Sequence, residues 1–235
     1  MKVSCLVSGG KDSVLALWFA LHQFDVISIL TVKSTCPDSL LFHIPNCEHV
    51  SLVAEMLGLL HQTIWIDKCN INDEVRSLKE ALLESGAEAI ITGGIRSEFQ
   101  RIKFNRAALR ANLKCYNPLW RLTPQILLTQ LLESKFDIII TSVSGMGLRK
   151  EFLGKTITPE LIETIQQTVP ESELTIIGEG GEFESFVLDA PFFPARIKII
   201  ESKIHWNEFR EEGYYEIKRV KKIPKKFSQK PIQTD

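Results

Sequence analysis

A rhythm constrains this chain more than any single residue. Short β-branched runs at residues 3–7, 26–32, 63–66, 89–92 and 137–142 are separated by stretches of helical periodicity. Strands that alternate with helices form βαβ units, and such units close onto a parallel sheet. A weaker strand signal lies at Cys115 and Tyr116. The first helical stretch carries Val14, Leu15, Leu17, Trp18 and Leu21, an i, i+3, i+4, i+7 stripe suited to packing on a sheet. Val50, Val53, Ala54 and Leu57 mark a second helix, and Val75, Leu78 and Leu82 a third. Thr123-Pro124 reads as a further helix start, with threonine as N-cap and proline at the first position.

Past residue 145 the rhythm changes. Ser144-Gly145-Met146-Gly147 reads as a hinge and Thr158-Pro159-Glu160 as a helix start, followed by a glycine-rich run and two strand-like segments at 196–204 and 214–220. The expected class is therefore α/β: a Rossmann-like parallel-sheet domain over residues 1–145 and a smaller α+β domain over 146–235. The basic stretch from Lys218, with its two prolines, reads as a solvated tail or as an electrostatic contact with RNA or an acidic protein.

Composition narrows the classes. With 235 residues, 44% of them hydrophobic, the chain has the apolar content for a real core. A formal net charge of -1 excludes a global basic field, so a charged partner must meet a local patch. The five cysteines (Cys5, Cys36, Cys47, Cys69 and Cys115) are odd in number and include no C-x-x-C pair, which argues against a disulfide framework or a four-thiolate zinc site and for a reducing compartment. Neither a signal-peptide core nor a run of roughly 18 apolar residues is present. A cytoplasmic protein that meets no membrane is expected.

The chemistry concentrates where the first strand hands over to the first helix, in Val7-Ser8-Gly9-Gly10-Lys11-Asp12-Ser13. A helix start offers unpaired N–H groups and a partial positive charge, and a glycine-rich turn brings the backbone close to an anion. Ser8, Gly9, Gly10 and Ser13 therefore form an expected phosphate cradle. Lys11 adds a positive charge for phosphate oxygens, and Asp12 is placed to hold a magnesium ion beside them. The spacing fits neither the Walker loop nor the dinucleotide fingerprint.

This stretch closely resembles the S-G-G-x-D-S pyrophosphate loop of the ATP pyrophosphatase superfamily. The resemblance implies an adenine-nucleotide-hydrolase-like fold and cleavage of ATP to AMP and pyrophosphate, with a substrate oxygen activated as an adenylate. Within that superfamily, "LFHIPNCEHV" (41–50), "TGGIRSEFQRIK" (92–103), "NPLW" (117–120) and above all "GEGGEFESFVLDAPFF" (178–193) resemble the signatures of diphthine–ammonia ligase in its compact archaeal-type form. That family amidates the diphthine carboxylate of translation elongation factor 2 with ammonium to give diphthamide. The implied substrates are ATP with Mg2+, ammonium and the diphthine-bearing factor, with no nucleic acid required.

The resemblance and the chemistry together assign candidate roles. Thr31 and Val32 after the second strand, and Gly93 and Gly94 after the fourth, are expected to line the nucleotide crevice at the carboxyl ends of the strands. Gln100 and Arg101 are placed to steady the α-phosphate, where charge builds up in the transition state. Glu179, Glu182 and Glu184 are acceptors for ammonium, with Glu182 taken as catalytic. Phe183 or Phe186, with one of these glutamates, is expected to hold the trimethylammonium of diphthine. His43 and Asn46 match a family motif and are carried as substrate contacts. Two rivals stay open. A tRNA thiolase of the same superfamily would rely on paired cysteines, which are lacking here, and a non-catalytic ATP sensor would show no turnover. The sequence leaves both a monomer and a homo-oligomer open.

Overall fold

The structure, a computed structural model, describes residues 1–34, 46–66, 70–144, 147–168 and 182–225. Strands β1 (Lys2–Leu6), β2 (Asp25–Ser34), β3 (Leu60–Ile66), β4 (Ala89–Ile91) and β5 (Lys114–Tyr116) form a parallel sheet in the order β3-β2-β1-β4-β5. Successive side chains on a strand point to opposite faces, so each strand feeds two cores. On one face Leu30, Val32, Ile64, Ile66 and Ile90 meet Val75, Leu78 and Leu82 of α3 (Ile71–Glu84) and Phe104 of α4 (Glu98–Arg110). On the other face Val3, Cys5, Ile29 and Ile91 pack with α1 (Lys11–Gln23) and α2 (Val50–Leu57).

Local chemistry fixes where these helices begin. Asn70, Ser97 and Thr123 each accept a backbone N–H three residues on, capping α3, α4 and α5 (Pro124–Glu133). Gly58 ends α2 in the left-handed region, at φ 66.

The strand order also fixes where a ligand belongs. From β1 the chain moves outward to β2 and β3, then crosses back to β4 on the other side of β1. The crevice at such a reversal, beyond the carboxyl ends of β1 and β4, is the ligand site of open α/β sheets.

One expectation is corrected here. The run 137–142 was expected to extend the parallel sheet. It forms β6 (Asp137–Ser144) of a separate antiparallel sheet, ordered β7-β6-β9-β8 with β7 (Phe183–Asp189), β8 (Ala195–Asn207) and β9 (Glu212–Pro224). Ile138, Ile139 and Ile140 are all buried, and a fully buried run looks alike in either kind of sheet, so the sequence carried no signal of its partners. The change from parallel to antiparallel pairing thus falls between β5 and β6, ahead of residue 145. The basic stretch from Lys218 is corrected in part as well: its first residues complete β9, where Lys222 pairs with Glu55 of α2. The helix expected at Thr158-Pro159 is α6 (Pro159–Thr168).

A core of Val14, Leu17, Ile139, Phe186, Val187 and Phe193, among others, joins α1 to the second sheet, so β7 lies against the loop that follows β1. Among the described residues no helix is long and apolar enough to cross a membrane.

Candidate active site

The loop after β1 is tied both to itself and to β7. The Ser8 N–H donates to Ser13 Oγ at 3.2 Å, the two serine hydroxyls lie 3.1 Å apart, and Ser13 Oγ donates to the Gly10 carbonyl at 2.9 Å. From β7, the Val187 N–H donates to the Gly9 carbonyl at 2.9 Å, while the Lys11 N–H donates to Ser185 Oγ at 3.2 Å. Gly9 adopts φ +90, a conformation that favours glycine, and even a methyl group there would meet the Phe186 ring. A second glycine is needed across the crevice: a Cβ on Gly93 would stand 2.8 Å from backbone atoms of Asp12 and Ser13. The turn after β4 and the first turn of α1 therefore meet backbone to backbone. Gly94 has only ordinary contacts, its nearest neighbour being Asn117 Oδ1 at 3.7 Å.

Above this frame lies a charged cluster. Lys11 is only 4% exposed, and its Nζ sits 3.0 Å from Asp12 Oδ2 and 5.6 Å from the centre of the Phe183 ring. The other carboxylate oxygen, Asp12 Oδ1, is buried without a hydrogen-bond partner, an arrangement that a bound cation or donor would relieve. Glu184 belongs to the same cluster. Burial pushes its carboxyl up to about 7; the Lys11 charge opposes that rise and the Asp12 charge adds to it. Among the described residues no group of three or more His, Cys, Asp or Glu side chains is placed to hold a metal. Asp12, with its unpartnered oxygen, is a residue that could hold a magnesium ion here.

The far rim is built by α4 and the segment after β5. Arg101, in the first turn of α4, lies over the Trp120 ring at 4.9 Å and pairs with Glu98 at 2.7 Å. Gln100, half-buried, is held by its backbone N–H on Ser97 Oγ at 3.3 Å. The Thr92 hydroxyl donates to Asn117 Oδ1, tying the end of β4 to the start of the Asn117–Trp120 turn.

Several candidate residues take other parts. β2 runs on to Ser34, so Thr31 and Val32 lie inside the strand rather than beyond it. The Thr31 hydroxyl is buried and donates to the Val7 carbonyl at 3.0 Å, while Val32 packs in the α3/α4 core, so both side chains serve the fold rather than the crevice. Asn46 also holds structure together: its amide donates to the Tyr215 carbonyl at 2.9 Å and accepts the Ile217 N–H at 2.7 Å, pinning residue 46 to β9. Phe183 and Phe186 are 2% and 1% exposed, and their rings face Lys11 and Gly9. Burial leaves neither aromatic face open to a substrate cation, and the cation over Phe183 is the protein's own lysine. Glu182 stands at the start of β7, its carbonyl accepting the Ser144 N–H at 2.8 Å. His43 and Glu179 lie outside the described residues.

Sequence reasoning passed over Ser185 and Trp120, although both fall within quoted motifs. Their parts depend on contacts between distant segments, which spacing along the chain does not encode. Burial pushes the Cys5 thiol up to about 12 and those of Cys47 and Cys115 up to about 11, so none of these three is poised as a nucleophile.

Two family models match the chain, one after the other. The model described as the diphthamide synthase N-terminal domain matches residues 1–115, and that for the diphthamide synthase C-terminal domain matches residues 123–223. A diphthine–ammonia ligase of Homo sapiens is 31% identical over 231 residues, covering 87% of this chain and 85% of the relative. Its counterpart in Danio rerio is 30% identical over 229 residues, covering 87% and 89%. In Schizosaccharomyces pombe a diphthine–ammonia ligase is 28% identical over 238 residues, and there this chain spans 93% of its own length but only 39% of the relative's. With both halves matched in order and the human relative 31% identical over 85% of its length, the chain belongs to the diphthamide synthase family.

Proposed function

We propose that this chain is a diphthine–ammonia ligase: it uses ATP to convert the diphthine carboxylate of elongation factor 2 into an amide, with ammonium as nitrogen donor and AMP and pyrophosphate as products. The observation that carries this reading is the Ser8–Ser13 loop at the switch point of the sheet, tied to β7 of the family's second domain.

A carboxylate oxygen attacks the α-phosphorus, the bond to the bridging oxygen breaks, and pyrophosphate departs with the electron pair. The Ser8–Ser13 loop and Lys11 would receive that growing charge. Moving onto phosphate oxygens would draw Lys11 from Asp12, freeing the carboxylate for a magnesium ion. Bound there, the metal would neutralise phosphate charge. Arg101, whose guanidinium lies over the Trp120 ring at 4.9 Å, would steady the α-phosphate.

Ammonia then attacks the acyl carbon and AMP leaves. Ammonium must first lose a proton, and a carboxylate titrating near neutrality is the fitting acceptor. Among the candidate glutamates Glu184 best meets that demand, because burial brings it to about 7. Glu182 and Glu179 remain candidates for holding ammonium or the trimethylammonium group. The test is AMP release from Mg-ATP and ammonium, together with amide formation, in the presence of elongation factor 2 carrying diphthine.

A further inference from the structure

Ser185 belongs to the antiparallel sheet, yet its side chain is aimed at the phosphate loop. It is 3% exposed, and its Oγ accepts the Lys11 N–H, the first of helix α1, at 3.2 Å. That N–H is one of the donors a helix start normally offers to an anion. A methyl group built on Gly10 would stand 3.3 Å from the Ser185 carbonyl and 3.8 Å from its Oγ, so the residue lies against the loop's second glycine. A hydroxyl carries one proton to donate as well as lone pairs to accept with. Here the lone pair is used, while the proton has no acceptor among the described residues. A buried hydroxyl with an unplaced proton, seated on an anion cradle, is incomplete until an acceptor arrives.

We infer that Ser185 is a phosphate-binding residue of the nucleotide site: its hydroxyl relays the first N–H of α1 and donates its own proton to an oxygen of the departing pyrophosphate. The inference rests on the phosphate-cradle reading above and extends it across the two sheets. One strand thereby holds the loop in three ways, through Val187 N–H on the Gly9 carbonyl, Phe186 against Gly9, and Ser185 over Gly10. The donation is charge-assisted and buried, the setting in which a single hydrogen bond counts most. It also joins phosphate occupancy to the strand that carries Glu184. This gives a physical reason for the second sheet to supply part of the nucleotide site rather than only a platform for the protein substrate.

The test is calorimetric binding of inorganic pyrophosphate and, separately, of AMP to the full chain with magnesium. Three proteins are compared: wild type, Ser185→Ala and Ser185→Thr. The alanine variant is expected to bind pyrophosphate about tenfold more weakly, with AMP affinity within twofold of wild type and the threonine variant restoring most of the loss. Pyrophosphate affinity equal to wild type would overturn the inference while leaving the loop reading intact. Equal loss for pyrophosphate and AMP would overturn it too, since that pattern marks general distortion of the site. Wild-type protein that binds no pyrophosphate would instead remove the cradle reading itself. Should the alanine variant fail to fold, Ser185→Cys keeps the volume, gives up the strong donor, and is expected to show the same split.

Discussion

The ring of Phe186 lies so close to Gly9 that a methyl group on the glycine would stand 2.6 Å from its Cε2 atom. This contact seats the second sheet on the Ser8–Ser13 loop, and position 9 requires glycine for two separate reasons. The backbone there is at φ +90, and the space above it is filled. Gly9→Ala is expected to cost about 1–3 kcal/mol in denaturant unfolding and to abolish tight ATP binding. Adding Phe186→Leu relieves the clash but not the backbone conformation, so the double variant should recover only part of the loss.

Gly93 and Gly94 look equivalent in sequence but not in structure. A side chain on Gly93 would push on Asp12 and Ser13 backbone atoms at 2.8 Å, whereas one on Gly94 has room. Gly93→Ala is expected to raise the KM for ATP by about tenfold or more, and Gly94→Ala by less than about threefold. Steady-state kinetics with varied ATP checks the difference, and similar effects at both positions would contradict this packing.

Much of this was legible beforehand, and the limits have physical causes. The strand–helix alternation and the Ser8–Ser13 loop carry their own local signals, period 2 against 3.6 and a glycine turn at a helix start, so they read out directly. β6 did not, because three consecutive buried isoleucines say that a strand is covered on both sides but not which strands flank it. The burial of Phe183 and Phe186 is not legible in the sequence, since it depends on Lys11 and Gly9, more than 170 residues away in the chain. The hydrogen bonds of Asn46 are hidden for the same reason, its partners being on β9.

Glu184 carries the pH dependence. Burial raises its pKa from 4.5 to about 7, so the folded state holds its proton more tightly than the unfolded chain does. Below pH 4.5 both states are protonated and the shift costs nothing; between 4.5 and 7 stability falls as pH rises; above 7 the loss is complete. At 1.36 kcal/mol per unit the full loss is up to about 3 kcal/mol. Glu184→Gln should therefore be more stable than wild type in urea at pH 8, with the gap closing by pH 4. A gap that ignores pH would contradict the assignment. Its catalytic counterpart is an amidation rate that rises through pH 7 in wild type and is lost in the variant.

Asn46→Ala removes two hydrogen bonds to β9 and leaves the Ile217 N–H without its acceptor. The expected cost is about 2–3 kcal/mol of stability, with KM for ATP and for the protein substrate both unchanged in the folded fraction. A raised KM for the protein substrate at full stability would return Asn46 to the substrate site.

Arg101 and Trp120 are expected to act as a unit. Arg101→Lys keeps the charge but gives up the guanidinium that lies over the ring at 4.9 Å, and Trp120→Ala gives up the surface beneath it. Each should lower kcat by about tenfold, and the double variant should be little worse than either alone. Fully multiplicative losses would show that the two residues act independently.

The central claim is tested most directly by following AMP from Mg-ATP and ammonium, with and without elongation factor 2 bearing diphthine, while the modified histidine is weighed by mass spectrometry. The expected result is AMP formed only with that protein and in step with conversion of its carboxylate to an amide. AMP released at the same rate without the diphthine protein, ADP in place of AMP, or no turnover at all would contradict the account.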